Sequence, residues 1–83
     1  MKVQVRYFAS LREALGPGET VEIASPATLG GLRDLLLARS GLHAEALART
    51  RAVRSALDQV MADEDAALVD GAEVAFFPPV TGG

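Results

Sequence analysis

Two runs that alternate with period two stand at opposite ends of the chain, and the one long stretch with helical spacing lies between them. In the first run Val3, Val5 and Tyr7 share one face while Gln4, Arg6 and Phe8 share the other, which predicts a strand over about residues 2–8 with one side buried. The second run, EVAFF at 73–77, follows Asp70-Gly71, a strong turn signal, and predicts the last strand. Between them, in LGGLRDLLLARSG, Leu29, Leu32, Leu35 and Leu36 recur at helical spacing, with Arg33, Asp34 and Arg39 assigned to the opposite side. Thr28 is suited to cap this helix and Gly41 to stop it. A chain of 83 residues is one domain and buries only about 60–65% of the surface that its unfolded form exposes. Its 49% apolar content can fill one such core.

Shorter elements fall into the gaps. Leu11 and Leu15 lie four apart ahead of Gly16-Pro17-Gly18, which predicts a helical turn at 10–15 ended by breakers. Residues 19–24 alternate, with Val21 and Ile23 on one face and Ser25-Pro26 closing the run, so a second strand pairs with the first. A short helical stretch is expected at 43–49. Strand-like pairs then recur at Ala56-Leu57, Val60-Met61 and Leu68-Val69.

Several chemistries are excluded or disfavoured. Cysteine is absent, which removes disulfides, thiolate nucleophiles and thiolate metal sites together. No apolar run approaches the roughly 18 residues of a membrane span, and the charged start lacks the continuous apolar stretch of a signal peptide. A cytoplasmic protein with no membrane partner is expected. The net charge of −3 argues against a nucleic-acid partner, and RTRAVR at 49–54 is read as solvated surface or at most a docking patch. Gly30-Gly31 carries no phosphate-loop spacing and is assigned to close packing against the sheet. The single histidine, His43, is assigned to the surface. The acidic Asp63-Glu64-Asp65 lacks calcium-loop spacing and reads as a solvated turn, and no metal site is expected.

Two N-terminal strands, one crossing helix and further strands give an α+β fold. Its mixed sheet packs on one main helix, with the last strand parallel beside the first. This is the β-grasp, or ubiquitin-like, arrangement. DGAEVAFFPPVTGG at 70–83 then resembles the C-terminal signature of the MoaD family, the small sulfur-carrier subunits of molybdopterin synthase within the MoaD/ThiS ubiquitin-like superfamily. VRYFASLREALG at 5–16 is similar to the same family's first strand and helical turn. The resemblance thus covers both ends and the order of elements between them.

The ending has a physical logic of its own. Pro78-Pro79 cannot continue a ladder and favours an extended form, which divides the chain into a domain at 1–77 and a projecting tail at 78–83. Pro78, Pro79, Val80 and Thr81 then act as a stalk. Gly82 and Gly83 lack side chains, so the terminal carboxylate can enter a narrow channel. That carboxylate, with an ordinary pKa of roughly 3.3–3.7, is ionised at neutral pH and a poor electrophile until something activates it. The resemblance implies what does so. A MoeB-like, ubiquitin-activating-type adenylyltransferase uses ATP and magnesium to form an acyl adenylate on Gly83. A persulfide sulfurtransferase then displaces AMP to leave a thiocarboxylate. Within the complex with a MoaE-like large subunit, which carries the catalytic side chains, the thiocarboxylate donates sulfur to cyclic pyranopterin monophosphate to build the dithiolene. No cofactor is expected to stay bound, and the chain is not an enzyme on its own.

If Tyr7 and Phe76 face the core, Phe8 and Phe77 face out at matching strand ends and form a partner-binding patch at the root of the tail. Phe77→Ala is then expected to weaken partner binding while sparing the melting temperature. One position departs from the family: relatives carry asparagine in a stretch like AVNQ where this chain has Asp58 in ALDQ. Two alternatives share the Gly-Gly ending. The chain would be a carrier for thiazole or tRNA thiolation, or a ubiquitin-like modifier, and Phe-Phe-Pro-Pro ahead of the tail favours the molybdopterin branch.

Overall fold

In the computed structural model, which describes residues 1–79, the element order is β1 (Lys2–Tyr7), α1 (Ala9–Leu15), β2 (Gly18–Glu22), α2 (Leu29–Leu37), α3 (Gly41–Ala46), β3 (Arg54–Leu57), β4 (Val60–Met61) and β5 (Glu73–Phe77). The five strands form one sheet in the order β2-β1-β5-β3-β4. Strand β5 is central, parallel to β1 and antiparallel to β3, so the first and last strands meet in the middle of the sheet as the order of elements predicted. Val3, Val5, Tyr7, Val21, Val74 and Phe76 point to one side and are buried. Leu29, Leu32 and Leu36 of α2, with Leu11 and Leu47, cover them as a second layer. No described helix is long and apolar enough to cross a membrane.

The long helix departs from expectation at both ends. Thr28 caps it, its Oγ1 accepting from the Gly31 N–H at 3.1 Å. The preceding donors are taken by the 64–68 segment: the Leu29 N–H donates to the Ala66 carbonyl and the Gly30 N–H to the Glu64 carbonyl, each at 2.9 Å. These bonds satisfy donors that would otherwise face solvent or a ligand, so Gly30 is a packing feature, against the Glu64 segment rather than the sheet, while Gly31 has only Thr28 Oγ1 near it. A Cβ on Gly30 would stand 3.0 Å from Glu64 Cβ. At the far end Gly41 does not stop α2. The helix ends at Leu37, and Ser40 caps a new helix, accepting from the His43 N–H at 3.2 Å. Leu68-Val69 forms no strand; Thr28 and Ala67 make an isolated bridge, and the Leu68 N–H donates to the Ala27 carbonyl at 2.9 Å.

Arg33 corrects the helix's polar face. It is 6% exposed, because its guanidinium reaches the carbonyls that follow α3, donating from Nε to Leu47 O at 2.8 Å and from Nη2 to Ala48 O at 3.0 Å.

Candidate functional site

The register fixes what stands at the root of the tail. Tyr7 pairs with Phe76, and the Phe8 N–H donates to the Phe76 carbonyl at 3.1 Å, which sets Phe8 and Phe77 side by side where β1 and β5 end. Both inner residues are buried, so alternation turns Phe8 and Phe77 to the outer face. Phe8 is 38% exposed, and Phe77, Pro78 and Pro79 are half-buried. Val80, Thr81, Gly82 and Gly83, the remaining expected tail residues, lie outside the described residues.

Around that point the outer face has a small-residue floor. Ala75 pairs with Arg6 on one side and Ala56 on the other, and Ala56 pairs with Met61. Phe77 pairs with Arg54. Met61 is 57% exposed and both arginines are exposed. The Arg6 guanidinium lies over the Phe8 ring, 5.8 Å from its centroid, and 3.6 Å from Glu73. Pro79 also borders a hollow of about 560 Å³ walled by Val53, Arg54, Ser55 and Met61.

Behind this face, on the core side, sits a polar cluster. Tyr7 stacks on Phe76 with centroids 6.3 Å apart, and its hydroxyl donates to Glu19 Oε2 at 2.8 Å. His43 Nε2 stands 2.8 Å from the same oxygen, His43 Nδ1 is 2.7 Å from Ser40 Oγ, and Arg39 pairs with Glu19 Oε1. Far from lying on the surface, His43 therefore ties α3 to β2, and its side chain is only 14% exposed. Burial disfavours ionised Glu19, but the bonds from His43, Tyr7 and Arg39 outweigh it and hold the carboxyl below its ordinary value of 4.5. Burial, reinforced by the Glu19 carboxylate, pushes the Tyr7 phenol well above its ordinary range. The cluster is a fixed strut under the strand ends.

Two further departures concern charge. The expected turn at Asp63-Glu64-Asp65 is present, closed by the Ala66 N–H donating to the Asp63 carbonyl at 3.1 Å, with Asp63 and Asp65 exposed. Its Glu64 carboxylate, however, is engaged: it accepts from Arg49 Nη2 at 2.8 Å and Arg33 Nη1 at 3.3 Å, while Arg49 also meets Asp34 at 2.6 Å. The Arg49 bonds are the main reason that the Glu64 carboxyl is held below its ordinary value. Burial lowers the Arg33 pKa against the pull of Glu64. The arginines at 49 and 51 are thus engaged with Asp34, Glu64 and Glu45. Asp58 opens the two-residue turn between β3 and β4 with φ 48°, followed by Gln59 at φ 69°, the mirror-image turn that favours Asn or Asp. Its Oδ1 accepts from the Glu73 N–H at 3.0 Å, a bond that an asparagine carbonyl oxygen would make equally. Among the described residues no group of three His, Asp or Glu side chains is placed to hold a metal.

A sheet of this order, with its last strand parallel to its first and leading directly into a Pro-Pro tail, can be compared with known families. The ThiS family model matches residues 5–83, from within β1 through the tail. The chain belongs to the ThiS family. Among relatives of this ThiS family chain, the molybdopterin synthase sulfur carrier subunit of Escherichia coli (strain K12) is 41% identical over 81 residues, spanning 98% of this chain and 99% of the relative. Among solved structures, a putative molybdopterin converting factor subunit 1 from Pyrococcus furiosus superposes with a TM-score of 0.82 at 28% identity, over 96% of this chain and 99% of that one. A complex of subunits 1 and 2 of molybdopterin-converting factor from Helicobacter pylori 26695 matches with a TM-score of 0.70 at 27% identity, covering both chains fully. The ThiS family fold is the ubiquitin-like β-grasp, as the order of elements implied.

Proposed function

We propose that this protein is the sulfur carrier of molybdopterin synthase, acting through the carboxyl group of Gly83. The observation that carries the proposal is 41% identity over 98% of the chain to a molybdopterin synthase sulfur carrier subunit. The geometry agrees with such a role. Strand β5, pinned between β1 and β3, delivers the chain at Phe77 to Pro78 and Pro79 beside an outer face that carries exposed Phe8. A partner that covers that face receives the tail at a defined entry point.

One Gly83 carboxylate oxygen attacks the α-phosphorus of ATP on a ubiquitin-activating-type adenylyltransferase that supplies magnesium, and pyrophosphate leaves. The terminal sulfur of a sulfurtransferase persulfide attacks the acyl carbon and AMP leaves; a second thiol then attacks the sulfurtransferase's cysteine sulfur, forms a disulfide with it and frees the thiocarboxylate. Bound to the large subunit, the thiocarboxylate sulfur bonds to a side-chain carbon of cyclic pyranopterin monophosphate as an oxygen substituent leaves that carbon, and water cleaves the acyl–sulfur bond so that Gly83 returns to a carboxylate; two such transfers supply the two dithiolene sulfurs. This chain supplies the tail and the docking face; the catalytic side chains belong to the partner.

A transfer assay tests the proposal. The thiocarboxylate form, mixed with the cognate large subunit and cyclic pyranopterin monophosphate, should yield the dithiolene, and one extra residue after Gly83 should abolish it. Dithiolene formation that is indifferent to the added residue would contradict the role of Gly83. Phe8→Ala should weaken large-subunit binding by about 1–2 kcal/mol, since a large exposed aromatic at a docking face is a common hot spot.

A further inference from the structure

The outer face at the tail root is charged as well as apolar, and the sign is opposite to that of the whole chain. The protein carries a net charge of −3, yet the side chains flanking the Ala75 and Ala56 floor are Arg6 and Arg54. Each stands on a neighbouring strand, one on either side of β5, facing the same way as Phe8 and Phe77. Arg6 is held by Glu73 at 3.6 Å and by the Phe8 ring. Arg54, directly opposite Phe77, has no ion-pair partner among the described residues. The other two arginines of the 49–54 stretch are drawn away by Asp34, Glu64 and Glu45. Arg54 is thus singled out at the point where the tail leaves the sheet.

We infer that Arg54, seconded by Arg6, is a steering contact for an acidic partner surface, and that the protein receiving the tail presents carboxylates around an apolar centre seated on the Ala75 and Ala56 floor. The inference rests on the sulfur-carrier reading and adds the chemistry of the partner's surface. An acidic chain approaching an acidic partner is repelled in most orientations. The unpaired charge of Arg54, beside an Arg6 already paired with Glu73, lowers that barrier only when the tail root faces the partner, so it selects the productive encounter. Guanidinium suits the task, because it binds carboxylates through a planar fork and stays charged at every physiological pH.

Stopped-flow association of the full chain with the cognate large subunit tests this at low and high salt. Arg54→Ala should slow association by about two- to fivefold at low salt, with dissociation little changed, and should converge on the unaltered chain as salt screens the field. Arg54→Glu should slow it further, on the order of tenfold, and Arg6→Ala should act in the same direction. Melting temperatures within the range of other exposed strand substitutions would verify that the variants fold. Equal rates at low salt, or faster association for Arg54→Glu, would overturn the inference while leaving the sulfur-carrier reading intact. Failure of the unaltered chain to bind the large subunit would defeat that reading and this inference together.

Discussion

Asp58 and Glu19 are single residues whose side-chain oxygens hold distant strands in place, and their substitutions have different expected outcomes. Asp58 at φ 48° needs a residue that tolerates the left-handed region, and its Oδ1 bonds the Glu73 N–H. Asp58→Asn keeps both properties and should change stability by less than about 0.5 kcal/mol in chemical denaturation, whereas Asp58→Ala should cost about 1–2 kcal/mol. Glu19 responds to pH instead. Its folded pKa lies below the ordinary 4.5, so its stabilisation is complete above the unfolded value and is lost as pH falls through the folded one. The melting temperature of the unaltered protein should therefore drop more steeply below about pH 4.5 than that of Glu19→Gln, measured in parallel. Identical slopes would remove Glu19 from the account.

Elements were legible where periodicity carried them and illegible where polar side chains found partners far along the chain. Strands β1 and β5 follow from strict alternation, and α2 from its leucine spacing. Arg33 was misassigned although the signal was present: it stands four residues after Leu29 and three before Leu36, inside the apolar stripe, and its burial required carbonyls at Leu47 and Ala48 to receive it. No local pattern announces His43, whose partner Glu19 is 24 residues away. The start of α2 offers a paired test. Gly30→Ala would press a methyl against Glu64, with the Glu64 carbonyl oxygen 3.2 Å away, and should destabilise by about 1–3 kcal/mol. At Gly31 the added methyl meets only Thr28 Oγ1 at 3.5 Å, so Gly31→Ala should be neutral or stabilising by up to about 1 kcal/mol. Thermal melts of the two variants check both signs.

The proposed role makes the sheet, taken as one body, a mount for the residues that follow β5. The first and last strands pair in parallel, the Tyr7–Phe76 stack and its Glu19 cluster brace that pair from the core side, and the outer face offers Phe8, Phe77 and two arginines around the exit of the tail. The β-grasp order was readable because helix length and strand order leave few alternatives in so short a chain. The proposed docking face is legible only in outline: alternation places Phe8 and Phe77 on the outer face, but the position of Arg54 beside Phe77 depends on antiparallel register with β5, which spacing does not encode. Whether Gly83 carries sulfur is decided by the intact mass of the protein purified from its own host without reductant, with fragmentation to locate any change. A species heavier by the exchange of one oxygen for sulfur, confined to Gly83, is expected. Only free carboxylate, persisting after incubation with ATP, magnesium, the activating enzyme and a sulfur donor, would contradict it.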